Sequence, residues 1–418
     1  MKILFVVEHF PSFSETFVLN EVTGLLDLGH DVWIYAVGNP SAPVEHPDVE
    51  KYELKKRIIP NAQVPVSRLQ RFVGVLKWLP SLLSKCGPAA LHVFNPSRHG
   101  KKALNLGLFY SCIPLLRCDT DFDAIHCHFG DKGALALVWE QMGLISGPIS
   151  TVFHAHELCR LSDEEGRRLY GPLIRSKTLL LPISQRWQER LISWGALPER
   201  TIVHHMGADL QKFECTSHVP PVDGPIRILT VARLVEQKGY EYAIRAIACL
   251  RTLTSRDLKY TIIGAGDGGG NLADSLRQLV NELKIADIVT FAGPQPQDKV
   301  RESIREANIF LLPSVTTTDG FQEGIPVALM EAMASGLPVV TTRHSGIPEL
   351  VEDRVSGFLA EERAVAPLAE AMVGLIEDHA LAGRIATAAR AKVEAEFNLL
   401  SLNRRLGQIL ESEAEIVG

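Results

Sequence analysis

The sequence predicts an α/β protein built from two doubly wound αβα domains that face each other across a cleft. Three observations carry that expectation. Short apolar runs of the kind that fill a parallel sheet alternate with helical stretches in both halves. A Pro-rich break, "SHVPPVDGP", divides the alternation, which then restarts. Charged and glycine-rich motifs sit just past strand ends, where ligands bind in such sheets.

Residues 1–216 are expected to form the first domain. It opens with strand "KILFVV", a polar loop "EHFPSFSE", and a helix that turns Phe17, Val18, Val22, Leu25 and Leu26 inward and stops at Gly29. Strand "DVWIYAV" completes a βαβ unit over residues 1–38. Further strands are predicted at "AIHCHF", "STVFHA", "TLLLPIS" and "TIVHHM". Residues 217–225 are the linker. The second domain, 226–397, offers "IRILTVA", a helix from about Lys238 to Leu253, "KYTIIGAG", a helix near Leu272 to Leu283, "DIVTFAG", "ANIFLLPS" and "GLPVVTT".

Between the last two strands lies "GFQEGIPVALMEAMASGLPVV". Pro326 suits the first position of a helix and Gly336 its end, so a short buried helix is expected over Val327 to Ser335, with Glu331 inside it. Glu323 precedes it. The unpaired N–H groups near Gly324, Ile325 and Val327 point along the positive end of the helix dipole and form an anion cradle, and Gly324 permits close backbone approach. Phosphates at the helix end with an acid on either side suit a ligand that carries a diphosphate between two polyols. Arg233 follows a strand and Lys238 stands five residues on, two cations able to bracket a diphosphate from the other side. The run "GAGDGGG" fits Gly-x-Gly-x-x-Gly through Gly264, Gly266 and Gly269, but the next strand ends without the ribose-binding acid of a dinucleotide site, which disfavours an oxidoreductase.

In the first half "HCHFG" and "FHAHEL" place His126, His128, His154, His156 and Glu157 near strand ends. No established zinc spacing surrounds them, so no metal is expected and His154 is the imidazole best placed to orient a substrate. The seven cysteines form no CxxC pair, as in a reducing compartment. No signal peptide or run of about 18 apolar residues is present, which points to a cytoplasmic protein.

The net charge of −6 conceals a basic segment, Lys51 to Arg117, with twelve Lys or Arg and one acid, Glu53. Within it "RLQRFVGVLKWLPSLLSK" places Phe72, Val73, Leu76, Leu79 and Leu82 near one helical face, among Arg68, Arg71, Lys77 and Lys85. This is the composition of an interfacial helix, and it predicts peripheral binding to an anionic surface, the inner face of the membrane. No nucleic-acid motif accompanies the charge and the whole-chain pI is about 6.2, so a membrane surface is favoured over nucleic acid and no nucleic-acid partner is expected.

Taken together, "ARLVEQKGYEYAI", "GAGDGGG", "EGIPVALMEAMASGLPVV" and "SGIPELVED" resemble the donor half of the family-4 retaining glycosyltransferases, whose architecture is the paired Rossmann-like fold called GT-B. "FPSFSETFVLNEVTGLLDLGHDV", "DAIHCHFG", "TVFHAHEL" and "HHMGADLQKF" are similar to the exopolysaccharide branch that includes the colanic-acid enzymes. The resemblance implies transfer of a sugar from a nucleoside-diphosphate sugar to a saccharide acceptor, plausibly lipid-linked, with no cofactor. By the same resemblance Arg233 and Lys238 hold the diphosphate, Glu323 the donor sugar and Glu331 the ribose, while His154 lies beside the reacting sugar. The C-terminal helix, 398–418, would cross back onto the first domain. Where the family carries a glycine-rich first loop, this chain has "FPSFSET", which leaves Ser14 or Thr16 as the donor there. A sugar-nucleotide sensor or assembly subunit without turnover is the alternative that uses the same cleft.

Overall fold

The computed structural model describes residues 1–12, 15–38, 46–221, 223–266 and 271–417. Among them are two six-stranded parallel sheets. The first consists of β1 (Lys2–Val7), β2 (Asp31–Ala36), β3 (Ile58–Ile59), β4 (Ala124–His128), β5 (Ile149–Phe153) and β6 (Leu179–Pro182) in the order β3-β2-β1-β4-β5-β6. The second consists of β7 (Ile226–Val231), β8 (Leu258–Ile263), β9 (Val289–Gly293), β10 (Ile309–Leu312), β11 (Val339–Thr342) and β12 (Phe358–Ala360) in the order β12-β11-β10-β7-β8-β9. Every residue of β4, β5, β6, β10 and β11 is buried, as continuous apolar strands require when helices cover both faces.

In both sheets the winding reverses beside the first strand, between β1 and β4 and between β7 and β10. Loops diverge there, which leaves a crevice at the carboxyl ends. The C-terminal helix, Leu399–Val417, packs on the first domain: Leu406 and Leu410 join its core, and Asn403 Nδ2 donates to Asn20 O at 3.1 Å. The crossing is pinned where Ala208 N bonds Phe397 O at 2.9 Å and Leu399 N bonds Ala208 O at 3.0 Å.

Several expectations change. "TIVHHM" makes no strand: it follows β6 through Ile202 N to Leu180 O and His204 N to Pro182 O, then turns away to meet the C-terminal crossing at Ala208. Strands β3 and β12, of two and three residues, carry too little pattern to be read from sequence. Lys238 does not open a helix. It ends a turn of 3₁₀ helix, Glu236–Lys238, and left-handed Gly239 (φ 67°) separates that turn from the helix Tyr240–Leu253. A Cβ at Gly239 would collide with the Pro313 carbonyl, so only glycine fits. Pro326 is the residue before the helix Val327–Ala334, with ψ 123°, and is not its first helical residue.

The basic segment folds into short helices around one long helix, Arg68–Cys86. Its predicted apolar stripe divides: Leu82 is buried and Leu79 partly so, whereas Phe72, Val73 and Leu76 face solvent. At 100° per residue Leu82 lies about 80° from Phe72 and about 120° from Leu76, on the flank that packs on the domain.

Candidate functional site

Between the carboxyl ends of the two sheets lies a cleft of about 660 Å³. The first domain contributes His154, His156, Glu157, Phe17, Phe129 and Lys132; the second contributes Arg233, Lys238, Glu323, Gly324, Ile325, Pro326 and Val327. Residues 171 positions apart, His154 and Ile325 among them, thus share one cavity. Arg233 follows β7 and Glu323 follows β10, the two strands that flank the reversal of the second sheet.

On the second domain's wall, Lys238 Nζ lies 2.6 Å from Glu323 Oε2, and both side chains are nearly buried. An arriving phosphate would therefore meet a lysine already shared with a carboxylate. Glu323 N donates to His344 Nε2 at 3.0 Å, and His344 Nδ1 contacts Glu362 Oε1 at 2.6 Å. Glu362 in turn accepts from Thr316 N and Oγ1, so its carboxylate fixes both the imidazole and the loop. Neither His344 nor Glu362 was legible as a site residue. The helix Val327–Ala334 has no side-chain cap, which leaves its first N–H groups turned toward the cleft.

The first domain's wall is acidic. Glu8, Glu15 and Asp131 line it, and buried Lys132 bonds to both Glu8 and Asp131. The sequence offers no obvious carboxylate pair, yet the fold supplies these acids and shares one lysine between two of them. Burial raises Glu15 above its ordinary value, against the opposing charge of His128. Phe129 is held at φ 74°, a costly backbone for a non-glycine residue, with its ring centroid 4.6 Å from that of His154.

His154 is buried and neutral: burial first, then the charge of His128, pushes it down to about 3. Behind it runs a chain of buried polar groups. His154 Nε2 lies 3.2 Å from His128 Nδ1, and His128 Nε2 lies 3.0 Å from Glu21 Oε2. Burial disfavours the Glu21 carboxylate, but His128 and His126 outweigh it and hold the acid well below the usual range. The Glu21 carboxylate thus faces His128 Nε2 as a close charge contact that does not reach hydrogen-bond geometry, while His128 Nδ1 engages His154 Nε2. Only the Nδ1 of His154 is then left for the cleft. Glu21 escapes sequence reading because its role depends on a helix meeting β4. Glu21, His126 and His128 also bring ligand atoms within 4.8 Å of one another, a spacing that suits a divalent cation and emerges only in three dimensions.

Other predicted positions fall elsewhere. Ser14 lies outside the described residues. Thr16 begins the first helix while its neighbours Glu15 and Phe17 line the cavity, and His128 is buried beneath the floor. Gly264 and Gly266 do not line the cavity: a Cβ at Gly264 would strike the Ala232 carbonyl, and Gly266 bridges Leu234, so this loop supports the one carrying Arg233. Glu331 also lies off the cavity lining, and burial pushes it up to about 7 against the charge of Arg301. The space that a Cβ at Gly324 would need is filled by Ile183 of the other domain, so this glycine serves domain approach. The domains are further joined by Arg160 to Asp319 at 2.7 Å, and by Glu349, which accepts from Gln185 N at the start of a first-domain helix and contacts His205 Nε2 at 3.0 Å.

Glu157 accepts from His154 N at 3.0 Å and Gly130 N at 3.4 Å, and burial drives it from its ordinary 4.5 up to about 8. The folded state then keeps a proton that the unfolded chain releases. Stability from this group is full below about pH 4.5 and is lost as pH rises through about 8. Glu157→Gln cannot titrate, so urea unfolding should show its stability relative to wild type rising from about pH 5 to about pH 8. A constant difference across that range would show that Glu157 is not buried as a neutral acid.

A family model for "Glycosyl transferases group 1" matches residues 217–392, the second sheet and the cation and acid motifs. The chain is 39% identical to the amylovoran biosynthesis glycosyltransferase AmsK of Erwinia amylovora, over 98% of this chain and 99% of that one. It is 37% identical to WcaL of Salmonella typhimurium, described as a colanic acid biosynthesis glycosyltransferase, over 99% and 100%. Among solved structures, a glycosyltransferase from Rickettsia africae superposes with a TM-score of 0.71 at 16% identity, covering 98% of each chain. Anabaena HepE in complex with UDP and glucose superposes with a TM-score of 0.68 at 20% identity, covering 99% of this chain and 100% of that one. The crevice between two sheets that reverse at the same point, and full-length relatives more than a third identical, lead to one conclusion: the chain belongs to the group 1 glycosyltransferases of GT-B architecture, in the branch of the exopolysaccharide and colanic-acid enzymes.

Proposed function

We propose that this glycosyltransferase moves a sugar, with retention of anomeric configuration, from a nucleoside-diphosphate sugar to a lipid-linked saccharide in exopolysaccharide synthesis. The observation that carries this reading is the convergence of Arg233, Lys238, Glu323 and the uncapped helix start at Val327 on one wall of the cleft, opposite His154. The acidic first-domain wall repels a diphosphate, so the phosphates belong against the second domain. There Arg233, Lys238 and the backbone N–H groups stabilise the charge that grows as the sugar leaves.

Lys238 is drawn from Glu323 toward the phosphate, and the freed carboxylate accepts hydrogen bonds from donor-sugar hydroxyls. The bond from the anomeric carbon to the diphosphate oxygen breaks first, giving an oxocarbenium-like transition state. The acceptor hydroxyl attacks from the same face, and its proton passes to the departing diphosphate. His154 presents Nδ1 to the sugar, and Glu331 reads the ribose after a local rearrangement of the helix start. Charge stabilisation is supplied by side chains and backbone, so turnover needs no divalent ion.

A panel of nucleoside-diphosphate sugars, with uridine and guanosine donors first, should reveal one that stabilises the protein by about 2.7 kcal/mol at 100 times its dissociation constant. With that donor and chelator present, NMR of the product should show the donor's anomeric configuration. Donor binding without transfer to any saccharide acceptor would favour the sensor reading, and an inverted product would refute retention.

The two acids are separable. Glu331→Gln should weaken the free nucleoside diphosphate and the sugar donor by a similar factor, roughly tenfold for a charge-assisted hydrogen bond. Glu323→Gln should weaken the sugar donor but leave the free diphosphate unchanged or tighter, because it releases Lys238. Calorimetric titration of both ligands checks this; equal weakening of both by Glu323→Gln overturns the assignment.

A further inference from the structure

Half of the large apolar side chains exposed among the described residues lie between positions 66 and 104. In the Arg68–Cys86 helix, Leu69, Phe72, Val73, Leu76 and Leu83 recur at helical spacing along one open stripe; Leu69 is 72% exposed, Phe72 60% and Leu76 59%. The adjoining stripe, through Val75, Trp78, Leu79 and Leu82, packs on the domain. The helix is thus apolar on two sides, and only one is used by the fold. Polar cover for the other is what a monomeric surface ordinarily provides.

At the start of this helix a groove of about 700 Å³ opens between it and the chain at Lys101 to Leu106. Three cations line it, Arg68, Arg71 and Lys101, and no acid does. The walls between them are apolar: Phe72, Phe94 and Leu104, the last 72% exposed. Arg71 Nε is tied to Pro65 O at 2.6 Å, which holds its guanidinium in place. Cations set among apolar walls, continuous with an open apolar stripe, match an anion that carries acyl chains. They do not match the phosphate backbone of a nucleic acid, whose flanks are polar.

We infer that this groove seats the phosphate of an acidic membrane lipid, so that the Arg68–Cys86 helix lies in the bilayer interface with Leu69, Phe72, Leu76 and Leu104 among the acyl chains. The inference rests on the lipid-linked acceptor proposed above and names the surface that brings the enzyme to it. It differs from a general attraction of basic charge to a membrane, because it assigns the contact to Arg68 and Lys101 in particular.

Flotation with vesicles of phosphatidylcholine alone, or with phosphatidylglycerol added, tests it on the full chain. Wild type should bind the anionic vesicles and bind neutral ones far more weakly. Arg68→Gln with Lys101→Gln should lose about thirty-fold in binding, as two interfacial cations worth about 1 kcal/mol each imply. Lys259→Gln with Lys284→Gln, which removes the same charge from the second domain, should lose little. Phe72→Ser with Leu76→Ser should also abolish binding while nucleotide-induced stabilisation is retained, which shows that the protein is folded and the donor site intact. Equal losses from the two charge pairs would overturn the seat. So would self-association of wild type that Phe72→Ser with Leu76→Ser removes, since the stripe would then face a second copy. Stabilisation by inorganic phosphate at matched ionic strength without vesicle binding would identify a soluble anion instead. Donor binding that fails while vesicle binding survives counts against the proposed reaction and leaves the seat standing.

Discussion

A parallel sheet can bind a ligand only where its connections part, and each sheet of this protein parts once. In the first, chain direction across the sheet reverses between β1 and β4; in the second, between β7 and β10. Most groups assigned to the cleft follow one of the four strands at those points, and His154, His156 and Glu157 follow β5, the next strand out. Glu8 and Glu15 follow β1, Phe129 and Lys132 follow β4, Arg233 and Lys238 follow β7, and Glu323 to Val327 follow β10. The cleft is therefore built from two domains, because neither crevice alone carries both Arg233 and Lys238 and the imidazole of His154, and the proposed reaction needs both.

Electrostatics divide the cleft in the same way. On one wall Lys132 offsets part of the charge of Glu8 and Asp131, while Glu157 is kept neutral by burial. On the other, Lys238 and Glu323 neutralise each other at 2.6 Å. Such a pair costs desolvation and adds little stability by itself. In the proposed reaction its use lies in exchange: a diphosphate would offer the lysine a stronger partner and free the acid to read hydroxyls. Contacts between the domains hold this arrangement closed. Ile183 fills the space beside Gly324, Arg160 reaches Asp319, and Glu349 caps the helix that begins at Gln185. Opening for substrate entry must break these contacts, as motion at a domain interface requires.

What could be read from the sequence was local. Continuous apolar runs gave the buried strands, and position just past a strand end singled out His154, Arg233 and Lys238. The proline and glycine around "IPVALMEAMASG" marked the short helix to within a residue. Long-range pairs were illegible: Glu21 meets His128 across 107 positions of sequence, and His344 meets Glu323 across 21, through contacts that only the packed fold creates. Gly264 and Gly324 show a related point. A glycine signals that something approaches closely, and the sequence does not show that the Ala232 carbonyl stands beside Gly264 and Ile183 of the other domain beside Gly324. The stripe on the Arg68–Cys86 helix was drawn too wide because composition does not say which of two apolar faces the domain takes.

The central claim is that the second domain's wall holds a diphosphate through Lys238. Calorimetric titration of uridine and guanosine diphosphates, each beside its monophosphate, into wild type and Lys238→Gln tests it most directly. The account predicts that the preferred diphosphate loses roughly tenfold or more in affinity, as expected for a lost charge-assisted contact, while its monophosphate changes little. Unchanged affinity for the diphosphate, or an equal loss for both nucleotides, would contradict it.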